Sequence, residues 1–155
     1  MPRGAKPISA LAALAALVSL AGCGGDSGPS KAEFAKKADA LCAKTNRDNP
    51  PKPAPNDAKA AAAQQAAEIQ VRTELDRKLT ALDAPEGLTG DLEAYHGETQ
   101  KIIAVIGRMK AAADRGDEKL YGTQLRAFDA ESVKREKIAV KLGFKVCGRK
   151  NPKPA

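Results

Sequence analysis

The strongest hydrophobic periodicity of the chain lies between residues 88 and 113. Apolar or small residues recur there at alternating steps of four and three positions, which is typical of one face of an α-helix. The positions are Leu88, Leu92, Tyr95, Thr99, Ile102, Ile106, Met109 and Ala113. Gly97 and Gly107 lie inside this helix, where each costs about 1 kcal/mol relative to alanine. We therefore expect a long amphipathic helix with close helix approach at the two glycines.

Two helices are predicted on the N-terminal side of this segment. The first begins at Ser30, which can form a capping box with Glu33, and ends at about Arg47. Its inward face comprises Phe34, Ala38, Leu41 and Cys42. The second begins at Asn56 as N-cap and ends at about Leu82. Its apolar stripe comprises Ala60, Ala63, Ala67, Val71, Leu75, Leu79 and Leu82.

A fourth helix is predicted near the C-terminus. Gly116 is the candidate C′ residue of the preceding helix, and Asp117 is the candidate N-cap of the fourth. Its less regular stripe comprises Tyr121, Leu125, Phe128, Ser132, Ala139 and Leu142. Gly143 ends the helix, and residues 144–147 return to the body of the domain. No alternating strand pattern occurs in the sequence, so the predicted fold class is all-α, a four-helix bundle.

The N-terminal residues have the order of a secretory signal. Arg3 and Lys6 form a positive start, and Ile8–Leu20 is an uncharged, largely apolar run. This run is shorter than the ~20 residues that a membrane-spanning helix needs. We therefore interpret residues 1–22 as a signal peptide that is removed from the folded protein.

The end of this signal, Leu20-Ala21-Gly22-Cys23, resembles the Leu-small-small-Cys lipobox of bacterial lipoproteins. The resemblance implies cleavage between Gly22 and Cys23, with acyl chains such as palmitate on the Cys23 thiol. Two or three acyl chains form a stable membrane anchor. A chance cysteine in a signal that is cleaved elsewhere is the alternative. Residues 23–29 then form a flexible spacer, followed by a helical domain at 30–148 and a disordered basic tail at 149–155.

The composition predicts a thin hydrophobic core that needs a covalent link. Tryptophan is absent and aromatic residues make up 3% of the chain. If Cys23 is acylated, Cys42 and Cys147 remain, and outside the cytoplasm such a pair most simply forms a disulfide. A metal site or a redox pair is the alternative, which the absence of a CxxC motif disfavours.

Two topologies can bring Cys42 to Cys147. In an up-down-up-down bundle, the segment after Gly143 must fold back along the first helix. Alternatively, the proline-rich residues 49–55 form an extended crossover that makes the first two helices parallel, so that the first and last helices end together. The sequence does not distinguish between them.

The formal net charge of +7 is concentrated at the C-terminal end, where Glu136 is the only acid after residue 133. Five basic residues are candidate contacts for anionic lipid headgroups or wall polymers: Lys134, Arg135, Lys137, Lys141 and Lys145. A solvated basic face without a partner is the alternative. Nucleic acid is not an expected partner, because no basic surface with interleaved aromatic residues is visible.

Candidate catalytic chemistry is sparse. His96 is the single histidine, and Glu93 lies one turn before it. A metal site in a helical bundle would need several inward carboxylates and a second histidine. No phosphate-binding glycine loop or dinucleotide motif is present. We therefore predict no metal, no cofactor and no catalytic residues.

Two short segments point to a family. Phe34-Ala-Lys-Lys-Ala-Asp-Ala-Leu-Cys42 follows the lipobox spacer, and Leu-Gly-Phe-Lys-Val-Cys147-Gly lies near the C-terminus. Together they resemble small actinobacterial lipoproteins, most of unassigned function. The expected protein is a lipid-anchored, non-catalytic binding module on the extracytoplasmic face of the cell membrane. The alternatives are a structural or stress-related envelope component and, less favoured, an enzyme.

Overall fold

The computed structural model describes residues 28–53, 55 and 57–149, and these form four α-helices. The helices are α1 (Lys31–Asp48), α2 (Ala58–Thr80), α3 (Thr89–Asp114) and α4 (Glu118–Leu142). The described residues contain no β-strand. The prediction of an all-α four-helix bundle is confirmed.

Several predicted features lie outside the described residues. They are the signal peptide at 1–22, the Gly22–Cys23 cleavage site with its acylated cysteine, most of the 23–29 spacer, and residues 150–155 of the basic tail. Of the predicted tail, Arg149 is described. It is partly buried, and its Nε lies 3.6 Å from Oε1 of Glu136.

The start of α1 confirms the predicted capping box. The Ser30 hydroxyl accepts a hydrogen bond from the Glu33 backbone N–H, and the Glu33 carboxylate accepts one from the Ser30 backbone N–H at 2.9 Å. The Ser30 backbone N–H and hydroxyl both donate to the Glu33 carboxylate, and these two hydrogen bonds lower the pKa of Glu33. The capping box gives hydrogen-bond partners to backbone N–H groups that the helix itself leaves unpaired at its start. This fixes where α1 begins.

The predicted N-cap of α2 is wrong by one position. Asp57 caps the helix, and its Oδ1 accepts a hydrogen bond from the Ala60 backbone N–H at 2.8 Å. Asn56 and Asp57 have similar short acceptor side chains, so the sequence alone could not choose between them. The helix also ends at Thr80 rather than Leu82, because the Leu82 N–H bonds to the Leu79 carbonyl in a tighter final turn.

The boundaries of α4 are as predicted. Gly116 has φ +65° after α3, and the Asp117 side chain accepts a hydrogen bond from the Leu120 N–H at 2.9 Å. Gly143 ends the helix with φ +83°. Left-handed glycines and short acceptor side chains are the standard stop and start signals of helices.

The predicted stripe of α3 forms the centre of the core. α3 packs between α2 and α4, so it is buried on two sides. Its buried residues are Leu92, Tyr95, Thr99, Ile102, Val105, Ile106, Met109, Ala112 and Ala113. The expected close approach at Gly97 and Gly107 is wrong, since a Cβ at either position would meet no atom within 4 Å.

The predicted stripe of α2 is wrong over its first turns. Ala61 and Ala62 are buried against Ala113 and Tyr121, whereas the predicted positions Ala60 and Ala63 are exposed. Nearly every residue in this part of the helix is alanine, so the sequence carries little periodic contrast. The second half of the stripe is correct, because Leu79 is buried and Leu75 packs against the same core.

The Cys42–Cys147 disulfide is formed, with the two Cα atoms 5.3 Å apart. Gly143, at the end of α4, faces Lys31 and Ala35 in the first turns of α1. The following segment, residues 144–147, therefore runs along α1 from its start to Cys42. This is the fold-back arrangement, and the alternative in which the two helices end together is excluded.

A buried carboxylate holds the returning segment against α1. Asp39 accepts hydrogen bonds from the backbone N–H groups of Lys145, Val146 and Cys147 at 2.8–2.9 Å. Phe144 packs between two aromatic rings, with centroids 5.9 Å from Phe34 and 5.4 Å from Tyr95. We refer to Asp39, the disulfide and residues 144–147 together as the C-terminal clasp.

A pair of glycines provides a test of how tightly the clasp packs. Gly116 and Gly148 both have positive φ, so alanine at either position costs about 1–2 kcal/mol in backbone strain. A Cβ at Gly148 would also lie 3.0 Å from Cε2 of Tyr95, whereas at Gly116 it would meet nothing within 4 Å. We expect Gly148→Ala to lower the free energy of unfolding by about 1–3 kcal/mol more than Gly116→Ala in urea denaturation. Equal effects would contradict the close contact with Tyr95.

Candidate functional site

A groove of about 710 Å³ lies between α2 and α4. We call it the α2/α4 groove. α2 and α4 form its walls, and Ile106 and Met109 of α3 lie at its floor. The end of α1 and residues 50–52 of the proline-rich connector line one side. Its volume is in the range of small-molecule sites.

The walls of the α2/α4 groove are mainly apolar. The apolar wall residues are Ala67, Val71, Leu75, Leu125 and Phe128. Leu125 is 45% exposed. Leu125 belongs to the predicted stripe of α4, and it faces the groove together with Tyr121 and Phe128 of the same stripe. An exposed leucine beside apolar walls is available for contact with a ligand.

Two side-chain contacts join the walls across the groove. The Gln65 amide donates to the Tyr121 hydroxyl at 3.1 Å. The Arg72 guanidinium lies over the Phe128 ring, 5.5 Å from its centroid, and also bonds to Glu68 on its own helix at 2.6 Å. Cation–π contacts of this kind contribute about 0.5–2 kcal/mol. They fix the separation of the two walls.

A smaller cavity of about 170 Å³ continues from the groove along α4. The two share Arg72, Phe128 and Arg149 in their linings. The smaller cavity is otherwise lined by Asp129, Ser132, Val133, Arg135, Glu136 and Gly148. An apolar groove thus leads into a compartment with three arginines.

Arg135 is the most unusual member of this compartment. Its guanidinium lies 5.9 Å from the centroid of the Tyr95 ring. Its Nε is buried and has no hydrogen-bond acceptor among the described residues, and the same is true of the Ser132 hydroxyl. Burial, reinforced by the positive charge of Arg72, lowers the pKa of Arg135. None of the ion pairs within residues 28–53 and 57–149 includes Arg135.

The five predicted basic contacts therefore separate into two groups. Arg135 turns inward to the smaller cavity, whereas Lys134, Lys137, Lys141 and Lys145 are exposed. Lys134 already donates to both carboxylate oxygens of Glu131, at 2.9 and 3.0 Å. The exposed lysines are accessible to a large anionic surface, whereas Arg135 is partly buried and lines the smaller cavity.

His96 has an acidic partner that the sequence did not indicate. Its Nδ1 lies 2.7 Å from Oδ1 of Asp76 on α2, and Gln100 donates to the other oxygen of Asp76 at 2.7 Å. Glu93, the neighbour considered from the sequence, is exposed. The cluster joins α2 to α3, and His96 lines neither of the two cavities.

Among residues 28–53, 55 and 57–149, no group of three or more histidine, cysteine, aspartate or glutamate side chains is placed to hold a metal ion. Within the same residues, no helix combines the length and the apolar character needed to cross a membrane.

Sequence reasoning missed the residues that line the smaller cavity. One signal was available, since Ser132 is the only non-aromatic polar residue in the predicted stripe of α4. A polar side chain on an inward face needs a partner. Arg72 forms an ion pair with Glu68, four positions earlier on the same helix. Its second contact, with Phe128, depends on the relative placement of α2 and α4.

Comparisons of this chain with protein-family models, curated protein sequences and solved structures found no match.

Proposed function

We propose that the protein is a lipid-anchored, extracytoplasmic binding module that holds a small, largely apolar ligand in the α2/α4 groove. The groove carries this proposal, because it combines apolar walls on two helices with an apolar floor and an exposed Leu125. Ligand sites commonly have this lining and volume. Binding is favoured over catalysis because His96 is paired with Asp76 outside both cavities.

The second part of the proposal concerns the cellular location of the protein. The Leu20-Ala21-Gly22-Cys23 sequence and its resemblance to small actinobacterial lipoproteins support an acylated Cys23 at the cell membrane. The Cys42–Cys147 disulfide is in keeping with an oxidising compartment. The exposed Lys137, Lys141 and Lys145 could contact anionic headgroups or wall polymers near the anchor.

Intact-mass analysis of the native protein tests the proposed lipid anchor and location. We expect a chain that begins at Cys23, carries acyl chains there, and has lost two hydrogens through the Cys42–Cys147 bond. A native chain that begins at another residue, or that begins at Cys23 without acylation, would contradict the anchor. This measurement does not depend on the groove.

Binding of a neutral apolar dye tests the groove. The unacylated chain from residue 23 with Cys23→Ser avoids detergent, and the absence of tryptophan leaves a low fluorescence background. We expect N-phenyl-1-naphthylamine to bind with increased emission, and Ala67→Phe in the groove wall to weaken binding roughly tenfold.

The matched control is Ala63→Phe, one turn earlier on α2, where the side chain is exposed and does not line the groove. We expect the affinity of this variant for the dye to equal that of the parent chain. Equal affinities for all three proteins, or no dye binding by the parent, would contradict the proposed site.

A further inference from the structure

We propose that the smaller cavity beside the groove is an anion subsite, in which Arg135 and Ser132 bind the carboxylate or phosphate group of an amphiphilic ligand. The apolar part of the same ligand lies in the α2/α4 groove. The inference rests on the binding function proposed above and adds the chemical class of the ligand.

The first support for this assignment comes from the unsatisfied polar atoms of the cavity. The Ser132 hydroxyl and the Arg135 Nε are both buried and both lack a partner among the described residues. They lie three positions apart on α4, so they are neighbours on the same side of the helix. A buried donor without an acceptor costs about 1–3 kcal/mol. Both atoms are closed to a water-sized probe, so an oxyanion that bonds to both requires a shift of the two side chains toward the cavity.

The charges around the cavity also favour an anion. Arg72, Arg135 and Arg149 all line it, with Asp129 and Glu136 as the acidic lining residues. Arg149 lies 3.6 Å from Glu136, and Asp129 is exposed to solvent. Arg135 is thus the buried cation that lacks a carboxylate partner within the part of the chain that the structure describes. Guanidinium groups bind carboxylate and phosphate oxygens in preference to other ligands.

The continuity of the two cavities indicates an amphiphile rather than a free inorganic anion. Phe128 lies in both linings, and Val133 adds a second apolar side chain to the smaller one. The junction of the two cavities is therefore lined by the Phe128 ring together with Arg72 and Arg149. An alkyl chain that ends in an acidic group matches this order of apolar walls and buried charge.

Four probes distinguish the possible outcomes: dodecanoate, dodecyl phosphate, dodecanol and inorganic phosphate. Their affinities for the unacylated chain can be measured by calorimetry, with the two alkyl acids below their critical micelle concentrations and dodecanol below its solubility limit. We expect the two charged alkyl probes to bind at least tenfold more tightly than dodecanol, because charged hydrogen bonds contribute about 1.5–3 kcal/mol. We expect no measurable binding of inorganic phosphate.

Three variants test whether Arg135 and Ser132 cause the preference for charged probes. Arg135→Met keeps a long unbranched side chain over Tyr95 and should remove the preference, so that dodecanoate and dodecyl phosphate bind no more tightly than dodecanol. Ser132→Ala should reduce the same preference by roughly threefold and provides a second test if Arg135→Met does not fold. Lys137→Met, exposed on the same helix, is the matched control and should behave as the parent.

Other outcomes overturn specific parts of the inference. Equal affinities for dodecanol and dodecanoate in the parent would refute the anion subsite and leave the binding groove intact. Binding of inorganic phosphate that is lost in Arg135→Met would refute the amphiphile in favour of a free anion. Failure of all four probes to bind would refute both the subsite and the proposed function.

Discussion

Removal of the Cys42–Cys147 disulfide is expected to lower the free energy of unfolding by about 3–5 kcal/mol. The bond joins residues 105 positions apart, and the loop-entropy estimate for a loop of that size is about 4.7 kcal/mol. The total stability of a domain is typically about 5–15 kcal/mol. The whole chain has only five aromatic side chains, so its hydrophobic core is thin. A loss of this size therefore removes a large part of the total stability.

The measurement compares urea denaturation of the oxidised protein with that of the Cys42→Ala/Cys147→Ala double variant. Replacing both cysteines leaves no reactive thiol in the domain, and both positions are buried, so small alanine side chains fit. Reduction of the parent by dithiothreitol should give a similar loss. A change of less than ~1 kcal/mol would show that the rest of the C-terminal clasp holds the segment without the bond.

Asp39→Ala is expected to have the second largest effect, a loss of about 3–4 kcal/mol. The substitution removes the acceptor for three backbone N–H groups, of which those of Val146 and Cys147 are buried. Each buried donor left without a partner costs about 1–3 kcal/mol, and water can reach Lys145 to reduce the total. The disulfide should still form, because it is covalent.

Asp48→Ala is the matched control for Asp39→Ala. It makes the same change in the same helix but at an exposed aspartate whose partner is Lys44. Exposed pairs at this spacing contribute about 0.3–0.5 kcal/mol. If the two variants unfold at similar urea concentrations, Asp39 does not hold the returning segment. Amide hydrogen exchange at Val146 and Cys147 should also accelerate in Asp39→Ala alone.

The parts of the fold that the sequence predicted correctly are those with strong local signals. The stripe of α3 recurs at steps of four and three positions without interruption, and all but its first member are buried. The boundaries at Ser30, Asp117 and Gly143 depend on short-range hydrogen bonds or on positive φ, which individual residue types determine. Such features do not depend on the position of distant helices.

The errors occur where neighbouring residues are too similar or where tertiary packing decides. The alanines that begin α2 offer several equivalent faces, and the structure buries Ala61 and Ala62 instead of Ala60 and Ala63. Gly97 costs helix stability without a packing partner. The sequence does not explain why a glycine occupies this position.

The candidate site was the least predictable part. Arg135 belongs to a run of basic residues, so the sequence grouped it with surface lysines. Only the packing of α4 against Tyr95 turns its side chain inward. Cavities form between elements, and their lining depends on helix positions that periodicity does not define.

The C-terminal clasp joins α1 to the segment that follows α4 and ends in Cys147, so the stability that it provides appears only after all four helices have been synthesised. Cys42 is synthesised 105 residues earlier. At roughly 5–20 residues per second, its thiol stays unpaired for about 5–20 seconds. A prematurely terminated chain would have a free thiol and an uncovered Phe34, both of which are buried in the finished protein. Proteases and chaperones could therefore distinguish unfinished molecules from complete ones by the absence of the C-terminal clasp.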